Sequence, residues 1–251
     1  MRLYIMRKVV IVTGGTSGIG FAAARKFLEE HAVVVVASLD PQDIVDAAML
    51  VLKKEGDADY HDLDVTDEKS CAKLVNDVIN KYGRVDVLIN AAGVRGQVGP
   101  PLKTDFADFE HTMQVNLSGT VRMSTITAGR MKEQGSGTII NISSISGTMV
   151  TAEDYGYHCS KSAVDMATKV LAREVSPFGV RCLAVAPGGV KTGMNSSDWE
   201  KQGAGLHIKE RLIGAREAAE AIWLMTTDEA SAINGSVLMM DDGYTAFKGI
   251  Y

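Results

Sequence analysis

Seven short apolar runs, each separated from the next by a longer amphipathic stretch, constrain this chain more than any other feature. Val9–Thr13, Val33–Ala37, Tyr60–Val65, Val85–Asn90, Thr138–Ser143, Val180–Ala186 and Ser236–Met240 read as strands, most of them apolar continuously or nearly so. Runs of that length without polar alternation are the mark of strands buried on both faces, as in a parallel sheet. Between them Gly18–Glu30, Pro41–Glu55, Asp67–Tyr82, Asp105–Lys132, Asp154–Ser176 and Ala215–Thr226 carry helical periodicity. The alternation predicts an α/β chain: a seven-stranded parallel sheet wound by right-handed crossovers, with helices on both faces. Local signals agree. Asp40 before Pro41 reads as a helix N-cap, Thr66 as the cap of the next helix and Gly83 as that helix's stop.

Residues 1–251 read as one domain, since the pattern uses the whole length. Gly188–Gly205 breaks it with Gly, Ser and Asn and little periodicity, and is expected to be a mobile substrate loop in which Met194 and Trp199 close over an apolar substrate. The balance of 26 basic against 31 acidic residues, net −5, has no basic run and argues against nucleic acid. No apolar run approaches the ~18 residues of a membrane span. Cys71, Cys159 and Cys182 are odd in number and widely spaced, as expected of free thiols in the cytoplasm. No His/Cys/carboxylate constellation points to a metal. Glycine is the outlier, 25 of 251 residues against an average of about 7%.

Part of that excess sits at one place. The first strand runs into Thr13-Gly14-Gly15-Thr16-Ser17-Gly18-Ile19-Gly20, and a helix follows. A helix N-terminus offers free N–H groups and a positive dipole end to an anion, and glycines let a pyrophosphate approach the backbone. No Gly-Lys-Ser/Thr follows, which excludes a Walker loop, and the spacing is not the ordinary G-x-G-x-x-G.

A second element is Tyr157-His158-Cys159-Ser160-Lys161, which places Tyr and Lys on one helix face. An ammonium beside a phenol favours the phenolate and lowers a pKa that is otherwise about 10, making Tyr157 usable as a general acid/base. Tyr155 is not equivalent, because Cys159 stands four residues on. Ser143 and Ser144 fall at the carboxyl end of the fifth run, where ligands bind in open α/β sheets. Asn116 is a polar residue inside a helical pattern.

In this order the elements resemble the short-chain dehydrogenase/reductase family, over about Lys8 to Thr245. Thr13-Gly14-x-x-x-Gly18-Ile19-Gly20 is similar to its cofactor fingerprint, and Asn90-Ala91-Ala92-Gly93 to its Asn-Asn-Ala-Gly element. Asn116, Ser144, Tyr157 and Lys161 match its catalytic tetrad, the thirteen-residue spacing to Tyr157 selecting Ser144. Pro187-Gly188-Gly189-Val190-Lys191-Thr192 matches its Pro-Gly-x-Val-x-Thr segment.

The resemblance implies a Rossmann-type, doubly wound single domain and an NAD(P)-dependent oxidoreductase acting on a secondary alcohol or ketone. Tyr157 would exchange the proton, and Lys161 would lower its pKa and hold the ribose hydroxyls. Ser144 would bond the substrate carbonyl, and Asn116 would hold a water linking Lys161 to solvent. The dinucleotide contacts implied are Gly14, Ser17, Gly18, Ile19, Gly20, Ser38, Asp64, Val65, Asn90, Gly93, Tyr157, Lys161, Pro187, Gly188, Val190 and Thr192. A homotetramer or dimer is implied, paired through the Asp105–Lys132 and Asp154–Ser176 helices. A non-catalytic nucleotide sensor, or an epimerase or dehydratase using bound NAD, are the other classes. The intact tetrad argues against the first, and the lack of an added C-terminal domain against the second.

Two departures stand out: Ala91 replaces the element's second Asn, and Met240-Asp241-Asp242-Gly243 replaces Val-Asp-Gly-Gly. Asn90 is expected to bond across neighbouring strands regardless, and Asp242 to perturb a turn or a subunit contact. Cofactor choice leans to NAD. Ser38 and Leu39 carry neither the usual Asp nor the usual Arg, while Asp40 biases the field against a 2′-phosphate. Asp154, Tyr155, Arg95 and Gln97 are candidate pocket residues. The absence of a basic cluster disfavours a heavily anionic substrate.

Overall fold

β1 (Val9–Thr13) is buried along its whole length and pairs in parallel on both sides, with β2 (Val33–Ser38) and with β4 (Val87–Asn90). It therefore lies inside the sheet, whose order is β3-β2-β1-β4-β5-β6-β9, every pairing parallel. The remaining strands are β3 (Ala58–Asp62), β5 (Gly137–Ile142), β6 (Val180–Pro187) and β9 (Val237–Met240). Two short strands, β7 (Val190–Lys191) and β8 (Ile213–Gly214), pair separately. The computed structural model describes residues 7–152, 154–192, 207 and 209–247.

Side-chain alternation divides the sheet into two cores. Val9 and Ile11 of β1 face one side with Leu88, Ile139 and Cys182, covered by α3 (Glu68–Tyr82), α5 (Thr120–Gln134) and α6 (Tyr155–Val175). Val10 and Val12 face the other with Ile89, Ile140 and Leu183, covered by α1 (Gly18–Glu29), α2 (Gln42–Glu55) and α7 (Ala215–Leu224). The chain winds outward in opposite directions from β1 and from β4. At that reversal the strand ends leave a crevice, the usual ligand position in such sheets.

The seven-stranded doubly wound fold expected from the pattern is the fold found, with differences at element ends. The expected Asp105–Lys132 helix is α4 (Phe106–Met113), a π-helical turn at Gln114–Gly119, and then α5. The widened turn contains Asn116, and Gly119 sits so close to Val65 that a Cβ would lie 2.7 Å from its Cγ2. The third strand ends at Asp62 rather than Val65. Asp64 turns the chain away by accepting bonds from the Thr66 N–H at 2.8 Å and the Thr66 hydroxyl at 2.7 Å.

That engagement removes Thr66 as a cap; Asp67 caps α3 instead, accepting from the Lys69 N–H at 3.0 Å. Pro41, not Asp40, holds the N-cap position of α2, because the Asp40 carboxylate is bound by the Thr16 hydroxyl of the glycine turn. Gly83 stops α3 at φ +80°, as expected. Asn90 reaches across the sheet to the Asn141 Oδ1 at 2.8 Å, so Ala91 costs it nothing. Asp242 adopts φ +51°, a conformation Asp tolerates better than most residues, and Lys209 bonds its carboxylate at 2.8 Å. The turn there is intact.

Candidate active site

A cleft of about 900 Å³ runs across the carboxyl ends of the strands at the β1/β4 reversal. Every residue assigned above to the dinucleotide lines it except Asn90, which is a buried strand-to-strand bond. Met194, Trp199 and most of the expected Gly188–Gly205 loop lie outside the described residues.

One end of the cleft is made by backbone. Ser17 precedes α1 without a side-chain cap, which leaves the first N–H groups of the helix open. Gly18 holds φ +55°, and among the described residues a Cβ there would have only Thr192 near it, at 3.6 Å. Gly20 is needed for packing, since a Cβ would overlap the Gly14 carbonyl. The extended dinucleotide implied by the turn fits this cradle: a concave glycine surface under an uncapped helix N-terminus. Beside it stand Ser38, Leu39 (71% exposed) and Asp40. Among the described residues, no Lys or Arg lines this end.

The other end is made by side chains. Ser144 follows β5, its hydroxyl accepts from the Ser146 N–H at 3.1 Å, and it lies close enough to the Tyr157 phenol to pull its pKa down. Ser143 turns away, donating to the Lys161 carbonyl oxygen at 3.4 Å. α6 places Tyr157 and Lys161 one turn apart, the ammonium 5.5 Å from the ring centroid. The Lys161 Nζ donates to the Ile142 carbonyl oxygen at 2.8 Å. Burial brings Lys161 down to about 8, against a smaller upward pull from Asp165.

The Tyr157 phenol does not show the expected depression. Burial holds it above its ordinary value; the Ser144 hydroxyl pulls down against that, Asp154 pushes up and Arg95 pulls down. The physical reason is that the Lys161 ammonium is committed to the Ile142 carbonyl rather than to the phenol oxygen.

Asn116 clamps the turn after β4. Its Oδ1 accepts from the Val94 N–H and its Nδ2 donates to the Val94 carbonyl oxygen, both at 2.8 Å, with a further bond to the Ser160 hydroxyl at 3.1 Å. With both ends of the amide engaged, its side chain fixes the Gly93–Arg95 turn. Arg95 and Asp154 line the cleft, while Tyr155 points outward against Phe109, 53% exposed. Gln97 serves the loop, accepting from the Asp105 N–H at 2.8 Å.

Two histidines, one behind Asp154 and one lining the cleft, were not expected from the sequence. His158 stands four residues after Asp154 and holds it, a spacing that was visible in the sequence. His207 accepts from the Gly189 N–H at 2.8 Å and packs where a Cβ on Gly188 would fall, and nothing local in the sequence marks it.

Comparison with known proteins agrees with this geometry. The short chain dehydrogenase family model matches residues 8–203. Short-chain dehydrogenase reductase 3a of Arabidopsis thaliana is 32% identical, with 97% of each chain covered. Cis-4-hydroxycyclohexanecarboxylate dehydrogenase of Sinomonas cyclohexanicum is 34% identical over 95% of this chain and 97% of its own. Among solved structures, ElxO with NADP bound superposes with a TM-score of 0.90 at 31% identity, covering 96% of this chain and all of that one. The chain belongs to the short-chain dehydrogenase family and is an NAD(P)-dependent oxidoreductase.

Proposed function

We propose that the protein interconverts a secondary alcohol and its ketone with Tyr157 as the proton-transfer group. The observation that carries this reading is the convergence of the Tyr157 phenol, Ser144 hydroxyl and Lys161 ammonium at one end of a cleft whose other end is a glycine cradle. When bound, the nicotinamide dinucleotide supplies or accepts the hydride.

Gly14, Ser17, Gly18, Ile19 and Gly20 would hold its pyrophosphate, Ser38, Asp64 and Val65 its adenosine half, and Gly93, Pro187, Gly188, Val190 and Thr192 its nicotinamide half. Tyr157 gives its proton to the substrate oxygen during reduction and takes it back during oxidation. Ser144 donates to the same oxygen and stabilises negative charge developing there. Lys161, which burial brings down to about 8, would bind the ribose hydroxyls. Asn116 acts by positioning.

NAD is the preferred dinucleotide in this proposal. The support is Asp40 held beside the glycine turn and, among the described residues, no cation lining that end. A cytoplasmic dimer or tetramer is proposed as well. Phe106 on α4, Val121 on α5 and Met166 and Val170 on α6 are exposed apolar residues that a second copy would cover. Light scattering checks the assembly: a monomer would refute it.

The test of the reaction is Tyr157→Phe, assayed by absorbance of the reduced nicotinamide across a panel of ketones. Turnover falls by about 10³-fold or more while dinucleotide binding persists. Near-parental turnover refutes the assignment.

A further inference from the structure

The substrate end of the cleft contains an ion pair that the proton-transfer chemistry does not use. The Arg95 Nε donates to the Asp154 Oδ2 at 3.1 Å; the Asp154 side chain is 3% exposed and that of Arg95 is 24% exposed. A buried pair of this kind is a poor source of stability, because removing two charges from water offsets their attraction.

Its geometry is strongly over-determined. The Thr151 N–H donates to the His158 Nε2 at 3.0 Å, so the ring proton lies on Nδ1. That nitrogen faces both the Asp154 carbonyl oxygen, at 2.8 Å, and the Asp154 Oδ1. Arg95 is fixed from the other side, since Asn116 holds the backbone of the preceding residue through both its N–H and its carbonyl.

Asp154 Oδ2 serves Arg95, while Oδ1 is buried beside His158 Nδ1 and, among the described residues, has no hydrogen-bond partner of its own. Among the described residues, neither terminal nitrogen of the Arg95 guanidinium makes a hydrogen bond. Arg95 shares the cleft wall with Tyr157 and lies near enough to stabilise its phenolate. What the cluster presents to a ligand is thus a planar fork of donors carrying positive charge, held rigid by its own counter-ion. A planar acceptor with two oxygens matches it, and a carboxylate matches best in charge and shape.

Resting on the oxidoreductase reading above, we infer that Arg95, oriented by Asp154 and His158, binds a carboxylate on the substrate. The reacting carbon then belongs to a hydroxy acid or oxo acid. Among the described residues the site has one guanidinium and no basic cluster, which suits a single carboxylate and not a polyphosphate carrier.

The test compares 4-oxopentanoate, 5-oxohexanoate and 6-oxoheptanoate with their methyl esters, using NADH and NADPH. The parent is set against the double variant Arg95→Met/Asp154→Asn, which leaves no buried charge uncompensated. Charge-assisted bidentate bonds predict a kcat/KM ratio of acid to ester of roughly tenfold to hundredfold for at least one chain length, carried mainly by KM. In the double variant the ratio falls to about one.

A parent that turns over acids and esters equally, or a double variant that keeps the acid preference, overturns the inference and leaves the reaction assignment standing. A second readout is thermal stabilisation of the NADH-loaded protein by hexanoate, which cannot react. Stabilisation of the parent and not of the double variant, with no turnover of any probe, upholds the Arg95 site and counts against the reaction. No stabilisation and no acid preference overturns the Arg95 site.

Discussion

The two ends of the cleft are built from different materials. The dinucleotide end is backbone: an uncapped helix N-terminus, Gly18 in a left-handed conformation and Gly20 pressed against Gly14. The substrate end is side chain: Ser144, Tyr157, Lys161 and the Arg95–Asp154–His158 assembly, drawn from β4, β5, α6 and their connections. A backbone site can be built in few ways, because only glycine lets a pyrophosphate come so close. A side-chain site can be altered residue by residue without moving the sheet. One fold thus keeps a single dinucleotide site and varies what it reduces.

The difference also explains what could be read from sequence. The glycine turn, the Tyr157–Lys161 pair and the seven apolar runs were legible because each is a local pattern at fixed spacing. The Arg95–Asp154 pair joins residues 59 apart in sequence, a distance at which no local pattern operates. Asp40 shows local grammar being overruled. Asp before Pro is a sound capping signal, yet the Thr16 hydroxyl takes the carboxylate and Pro41 becomes the cap. Asn116 is similar: a polar residue in an amphipathic pattern gave no hint that a π-helical turn would aim it at Val94.

The contrast between the two ends can be broken experimentally. The largest effect expected among single side-chain deletions after Tyr157 is that of Ser144→Ala. Loss of one donor at the developing oxyanion lowers kcat by about 10²–10³-fold, and dinucleotide affinity measured by calorimetry stays within about twofold. A large loss of affinity would mean that the two ends are not separable.

Lys161 links the ends, and its burial gives a signature in stability. The folded-state pKa near 8 lies below the ordinary 10.5. Between those values the unfolded chain binds the proton and the folded chain does not, so the group's contribution to stability rises with pH in that window. Relative to Lys161→Met, the parent gains about 2–4 kcal/mol from pH 8 to pH 10.5, read from urea midpoints. A constant difference across that range would contradict the burial of a charged lysine.

The smallest effect expected is at the rim of the dinucleotide end. Asp40→Ala lowers the NAD-over-NADP ratio of kcat/KM by about tenfold, a single charge acting near a phosphate at partly screened distance. An unchanged ratio would assign Asp40 to the glycine turn alone.

The division of labour is tested most directly by measuring NADH affinity and ketone turnover together in Gly18→Val and Tyr157→Phe. A branched side chain at Gly18 would fill the cradle and strain a backbone at φ +55°. The account predicts that Gly18→Val loses both affinity and turnover, while Tyr157→Phe binds NADH like the parent and turns over at least about 10³-fold more slowly. Parental NADH affinity in Gly18→Val, or parental turnover in Tyr157→Phe, would contradict it.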